Sequence, residues 1–183
     1  MNNRDKVIKE SMYRIRVEKQ YFNFSCAHFL LFNDGTREPL HGHNYWAWVE
    51  VEGELNQAGY LLDYITFKPI FRKLCDGLDH KTIYPKRAEE LTIREEGDNV
   101  VVTHRDGSVF SSPKSDTLLL DVRNTSTELL ATYLAKRLYG ELIQRGEHQH
   151  LNAITVGVEE APGQQGIFRY ELPDTDKGAN RGS

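Results

Sequence analysis

The chain has 183 residues, long enough for one domain with a full core and an insertion or tails besides. Its 23 basic and 27 acidic side chains give a net charge of −4, which leaves no electrostatic footprint for nucleic acid. No apolar run is long enough to span a bilayer, the polar start Met1–Lys9 lacks a signal-peptide core, and two cysteines, Cys26 and Cys75, suit free thiols in a reducing compartment. The expectation is a cytoplasmic protein with neither nucleic acid nor membrane as a partner.

Residues 1–11 are polar and expected to be flexible, as is the Asp-, Gly- and Lys-containing tail at 173–183. Residues 12–172 are expected to form a single domain. Tyr13–His28 carries aromatic and β-branched residues and predicts a long strand. Leu30–Leu40, with Asn33-Asp34-Gly35 and Pro39, predicts a loop. From His43 to Leu55, Tyr45, Ala47, Val49 and Val51 alternate with Trp46, Trp48, Glu50 and Glu52, the period of a second strand paired antiparallel with the first. After Gly59–Asp63, a helix is predicted from Ile65 to Cys75, with Ile65, Phe67, Ile70, Phe71 and Leu74 as its apolar stripe. Pro69 is compatible with that helix only in the first turn. Alternating segments at Leu91–Glu95, Val100–Arg105 and Ser108–Ser112, separated by Glu96-Gly97-Asp98-Asn99 and Asp106-Gly107, predict a β-meander. Thr125 and Glu128 have capping-box spacing and predict the start of a second helix. Leu129, Leu130, Tyr133, Leu134, Leu138 and Leu142 give that helix its buried face, and Ala153–Glu159 and Gly166–Leu172 predict a closing pair of strands. Together these make an α+β domain, a β-β-α-α-β-β frame with the meander inserted between the helices at about 86–116.

Chemistry concentrates around His41-Gly42-His43. Residues i and i+2 of a strand project to one face, so both imidazoles can reach one ion, and His28 lies opposite them if the two strands pair. Three neutral imidazoles with an open fourth position are the pattern of a catalytic zinc site, although the spacing alone fits better a chance His-x-His with His28 as a core histidine. His148-Gln149-His150 has the same spacing but follows a helix end with no third ligand, and reads as ordinary surface. Asp79-His80 is open to two readings, a tuned acid/base pair or a solvated histidine after a helix. Glu160 at a strand end is either a solvated acid or a carboxylate able to grip a guanidine-like ring edge through two parallel hydrogen bonds. Cys26 shares the face of His28 and is either a thiol near the metal or a small buried hydrophobe.

These pieces occur in a set order: Phe24-Ser25-Cys26-Ala27-His28, Leu40-His41-Gly42-His43-Asn44-Tyr45, Gly53-Glu54, Gly59-Tyr60-Leu61-Leu62-Asp63, Leu78-Asp79-His80, Thr127-Glu128 and Val158-Glu159-Glu160. In that order they resemble the 6-pyruvoyltetrahydropterin synthase and 6-carboxytetrahydropterin synthase superfamily, from Phe22 to about Glu171 outside the insertion. The resemblance implies the tunnelling fold, a four-stranded antiparallel sheet with two helices on one face, assembled as two stacked trimers with active sites at subunit interfaces. It implies zinc on His28, His41 and His43, and proton transfer by Asp79 and His80. It further implies a pterin ring anchored by Glu160 with help from Ser126, Thr127 and Glu128, and 7,8-dihydroneopterin triphosphate as substrate.

One departure bears on mechanism. The superfamily's catalytic cysteine stands four or six residues before His-Gly-His, where this chain has Arg37 and Gly35, and Glu38 stands three before it. This resembles the branch in which glutamate replaces cysteine, associated with release of 6-hydroxymethyl-7,8-dihydropterin, a folate precursor. Glu38 is then either the base or a solvated loop acid. The alternatives are the 6-pyruvoyl route, the 6-carboxy route of queuosine synthesis, a pterin-binding protein without turnover, and an interaction protein whose meander recruits a partner.

Overall fold

The structure, a computed structural model, describes residues 12–173. The expected flexible ends, 1–11 and all of the tail beyond residue 173, lie outside the described residues.

Strand β1 (Tyr13–His28) pairs antiparallel with β2 (His41–Gly53), which pairs with β8 (Leu151–Ala161), which pairs with β9 (Gln164–Glu171). These four strands are the expected antiparallel frame. The second strand begins at His41 and stops at Gly53, two residues before each expected boundary. Gly53 sits where any Cβ would meet the His150 carbonyl and Leu151, so the backbones close in there and pairing ends. Helix α1 (Tyr64–Asp76) is followed by β3 (Lys81–Pro85) and α2 (Thr127–Arg145) is preceded by β7 (Thr117–Leu120). Both short strands add in parallel at the β1 edge, so the sheet runs β7-β3-β1-β2-β8-β9. Neither was legible as a strand because each is short and lies beside the insertion. The meander forms its own sheet from β4 (Leu91–Glu96), β5 (Asn99–His104) and β6 (Val109–Pro113), close to the expected segments.

One irregularity decides which side chains face the helices. The β1–β2 register breaks between Glu18 and Asn23, where five steps along β1 match two along β2. The odd surplus reverses the alternation: Ile15 and Val17 face the core before it, and Phe22, Phe24, Cys26 and His28 after it. The helices cover this same face. Phe67, Ile70, Phe71 and Cys75 from α1 and Leu130, Leu134, Leu138 and Leu142 from α2 join Val49, Val51, Ile154 and Val156 in one core.

Three helix readings change in detail. Ile65 is 80% exposed and is not part of the α1 stripe, because the Asp63 cap starts the helix at Tyr64 and turns Ile65 outward. Pro69 lies in the second turn, where it forfeits one backbone bond on an exposed face. For α2 the N-cap is Ser126, and Thr125 is drawn away from the helix terminus into the interior. A second, smaller core of Phe29, Leu31, Tyr84, Ala88, Val100 and Val102 joins the meander to the chain just past β1.

Phe71 is fully buried and meets Phe22 edge-to-face at 5.0 Å. Phe71→Ala is expected to cost about 3–5 kcal/mol of stability, read as a lower urea midpoint at fixed chain concentration. A change under about 1 kcal/mol would show that α1 does not depend on this contact.

Candidate metal centre and its surroundings

His28 and His41 are register partners, and His43 lies two residues further along β2, so all three imidazoles stand at one end of the helix-facing surface. Ring centroids are 4.8 Å apart for His28–His41 and His41–His43, and 5.5 Å for His28–His43. Glu160 joins them from β8. The β8–β9 register shifts between Glu159 and Ala161, which leaves Glu160 unpaired on that side with its carboxylate against the histidines. Ligand atoms of His28, His41, His43 and Glu160 all lie within 4.8 Å of one another. The chain therefore brings the three expected histidines together and adds Glu160 to them.

The surroundings of each ring test whether a cation fits. His41 Nδ1 lies 2.8 Å from the Pro39 carbonyl, and His28 Nδ1 lies 3.1 Å from the Thr125 carbonyl. A ring N–H donated to a carbonyl leaves Nε2 as the lone-pair nitrogen in both rings, the atom that can serve as a ligand. The tautomers follow from these partners. Tyr45, two residues past His43 on the same face, offers its hydroxyl to His28 Nε2 at 2.9 Å. His43 Nε2 approaches Glu160 Oε1 to 2.8 Å, yet off a hydrogen-bonding line, so this buried nitrogen has no hydrogen-bond partner. An orphaned buried ring nitrogen beside a carboxylate, with two imidazoles already oriented, fits a cation at the centre. A donor set of three nitrogens and one oxygen suits zinc.

The remaining expected residues divide. Glu38 is at the cluster: its Oε2 lies 3.9 Å from His41 Nε2 and accepts from the Leu30 N–H at 3.1 Å. Cys26 shares the face but is buried, and burial, with Asp79 and Glu160 nearby, pushes its thiol up to about 12. It is a core residue at neutral pH, not a thiolate. Asp79 accepts from the Ser25 N–H at 2.7 Å. His80 takes φ +56° after it, and its ring is 87% exposed with Nε2 3.6 Å from Asp79. His80 borders an open groove of about 490 Å³ together with Ser25, Gly42, His43 and Asn44. Ser126, Thr127 and Glu128 form the start of α2, packed so closely on Gly166 of β9 that a Cβ there would strike Thr127 and the Glu128 backbone. Glu128 is held below the usual carboxylate range by hydrogen bonds from its own backbone N–H and from Ser126 and Thr127. His148 and His150 stand apart from the cluster, His150 bonded to the Leu61 carbonyl and His148 against Tyr139.

Sequence reasoning missed two supporting residues. Thr125, expected as a helix cap, donates its hydroxyl to the Phe29 carbonyl and supports His28 instead. Tyr45 was legible as the next same-face position after His43, but its hydroxyl depends on the cross-strand register that presents His28.

Comparison with known proteins gives this geometry a family. The sequence profile described as "6-pyruvoyl tetrahydropterin synthase" matches residues 16–171. The chain belongs to the 6-pyruvoyl tetrahydropterin synthase family. A Methanocaldococcus jannaschii relative named "Putative 6-carboxy-5,6,7,8-tetrahydropterin synthase" is 34% identical over 152 residues, 81% of this chain and 90% of that protein. A Pyrococcus horikoshii relative with the same name is 28% identical over 85% of this chain and 87% of its own length. Among solved structures, a 6-pyruvoyl tetrahydropterin synthase from Plasmodium vivax superposes with a TM-score of 0.81 at 34% identity, covering 88% of this chain and 99% of its own. The match confirms the tunnelling fold of the family. No helix among the described residues is long and apolar enough to cross a membrane.

Burial, reinforced by the neighbouring His41 and His43, pushes the His28 imidazole from an ordinary 6.5 down to about 4. The unfolded chain therefore takes up a proton that the folded chain refuses between those values. The contribution is whole above pH 6.5 and is lost as pH falls toward 4. For metal-stripped protein this is worth about 3 kcal/mol, measured as a falling urea midpoint from pH 7 to pH 4. His28→Gln should flatten that slope, and a wild-type midpoint that stays constant would show that the ring is not held neutral.

Proposed function

We propose that this chain is a zinc-dependent lyase acting on the side chain of 7,8-dihydroneopterin triphosphate, with Glu38 as the base. The observation that carries the reading is the position of Glu38. Its carboxylate lies beside the three-histidine cluster on a backbone N–H, while Cys26, the thiol on the same face, is buried and protonated. His28, His41 and His43 would hold zinc, with Glu160 either as a further ligand or turned to the pterin ring. Zinc bound there supplies Lewis-acid polarisation of the side-chain hydroxyls. Glu38 takes the proton from a side-chain hydroxyl as its C–O bond becomes a carbonyl. The adjacent C–C bond breaks, its electron pair passes into the ring's C=N, and a proton is returned to the ring fragment. Glu160, with Ser126, Thr127 and Glu128 behind it, would anchor the pterin.

Two products remain in view, each with its own support. The curated relatives are named for 6-carboxytetrahydropterin synthesis, so the comparisons back that product better than 6-hydroxymethyl-7,8-dihydropterin. The 6-hydroxymethyl product is favoured by a glutamate in place of the family's cysteine. The Plasmodium vivax neighbour, named a 6-pyruvoyltetrahydropterin synthase, bears on the base and not on the product: its glutamate-to-alanine and glutamate-to-cysteine variants are described as catalytic residue mutants. Product analysis by mass spectrometry of zinc-loaded protein with 7,8-dihydroneopterin triphosphate decides between them. Glu38→Gln should lower turnover at least about 100-fold while leaving bound zinc unchanged. Zinc and pterin binding without any product would instead mark a binding protein.

The exposed His80 suits a residue that serves a neighbouring copy, and we propose a dimer of trimers with sites at subunit interfaces. Co-refolding inactive His80→Ala chains with inactive Glu38→Gln chains should restore part of the activity, since some interfaces then combine both intact residues. Mixed assemblies as inactive as either parent would rule out a shared site.

A further inference from the structure

The meander contributes no residue to the histidine cluster, yet its second hairpin touches the loop that carries Glu38. That loop leaves β1 after His28 and returns at His41 through a turn at Gly35, which takes φ +79°. Its two arms face each other through the Leu31–Arg37 bridge and the bond from the Glu38 N–H to the Leu30 carbonyl at 2.9 Å. On one side Asn124 brackets Leu31, accepting from its N–H at 3.1 Å and donating to its carbonyl at 2.9 Å. On the other side stands the β5–β6 hairpin.

Arg37 spans the gap between hairpin and loop. It donates through Nη1 to the Glu38 carbonyl at 2.9 Å and through Nη2 to the Ser108 hydroxyl at 2.7 Å. Its guanidinium lies 4.8 Å from the Phe110 ring centre and 5.7 Å from that of Phe29, with Asp106 at 3.5 Å from Nε. Asp106 is in turn fixed by the Ser108 N–H at 2.7 Å and by the buried His104 ring at 3.0 Å. Arg105 donates to the Gly35 carbonyl at 3.1 Å, across a glycine where any Cβ would overlap the guanidinium. A planar cation stacked on a ring, with two donors on two different segments, fixes their relative position in a way a single surface ion pair does not.

We propose that the inserted meander is the platform that sets Glu38 against the histidine cluster, with Arg37 as the positioning residue. The proposal rests on the reading of Glu38 as the base. Misplacing a reacting group by about 1 Å can cost about 100-fold in rate while substrate binding is untouched. The role assigned to Arg37 therefore predicts a loss in kcat and not in KM.

The test uses full-length, zinc-loaded protein and 7,8-dihydroneopterin triphosphate. Arg37→Met should lower kcat by about tenfold or more, with KM within about twofold and zinc per chain unchanged by elemental analysis. Arg37→Lys, which keeps the charge but not the fork, should recover little of the loss. Ser108→Ala removes the hairpin end of the bridge without touching the arginine, and should reduce kcat in the same direction even if Arg37→Met folds poorly. Glu95→Ala breaks a pair with Lys114 on the other side of the same meander and should leave kcat as it was. Wild-type kcat in both Arg37→Met and Ser108→Ala, beside a dead Glu38→Gln, overturns the platform and leaves the base in place. Full activity in Glu38→Gln overturns the base assignment, and the platform with it. A fall in zinc content that tracks the fall in kcat would show that Arg37 acts on the metal centre and not on Glu38.

Discussion

The pairing of β1 with β2 is the constraint on which the rest depends. Ladder hydrogen bonds fix which residues face each other, and a slip of one residue would send every side chain of a strand to the opposite surface. Here the odd surplus between Glu18 and Asn23 reverses the alternation once, halfway along β1. The first half supplies Ile15 and Val17 to the core, and the second supplies Phe22, Phe24, Cys26 and then His28. Without the reversal, His28 would look away from the helices and from His41 and His43. One irregularity thus sets both the core beneath α1 and the third corner of the histidine cluster.

Placing imidazoles at the edge of an apolar core is costly unless each ring nitrogen finds a partner. His28, 1% exposed, meets that cost with the Thr125 carbonyl and hydroxyl on one nitrogen and the Tyr45 hydroxyl on the other. Thr125 can do this because α2 takes Ser126 as its cap, which frees the preceding residue to turn inward. Burial, with His41 and His43 beside it, holds the ring neutral, and the same bonds aim it, which are the two properties a metal ligand needs. His43 Nε2 is the unmet member of the set, and its proximity to Glu160 makes the centre electrostatically suited to a cation.

The insertion fits the same logic from the other side. A loop running from one histidine strand to the next has few contacts of its own, and a carboxylate on it would be poorly placed. The smaller core of Phe29, Leu31, Tyr84, Val100 and Val102 anchors both ends of that problem, since it packs the meander on the stretch where the loop begins. Arg37 and Arg105 then tie the loop's far arm to the hairpin. Stability and placement of the acid come from one contiguous surface.

By itself the sequence determined the local and periodic features. The alternation from Tyr45 to Val51, the apolar spacing of α2 and the Asp-Gly turn of the meander each depend on neighbours a few residues away, and each formed close to where it was expected. The His-x-His spacing likewise determined that two imidazoles share a face, and the order of motifs determined the family. Tertiary structure decided what depends on pairing across distance. It reversed the face of β1, built β3 and β7 as parallel edge strands, and turned Ile65 out. It also moved Thr125 from helix cap to ring support, set Glu160 among the histidines and laid Arg37 between Phe29 and Phe110. Apart from Ile65, which the neighbouring Asp63 cap turns out, these features depend on partners distant along the chain whose positions exist only once the sheet has closed.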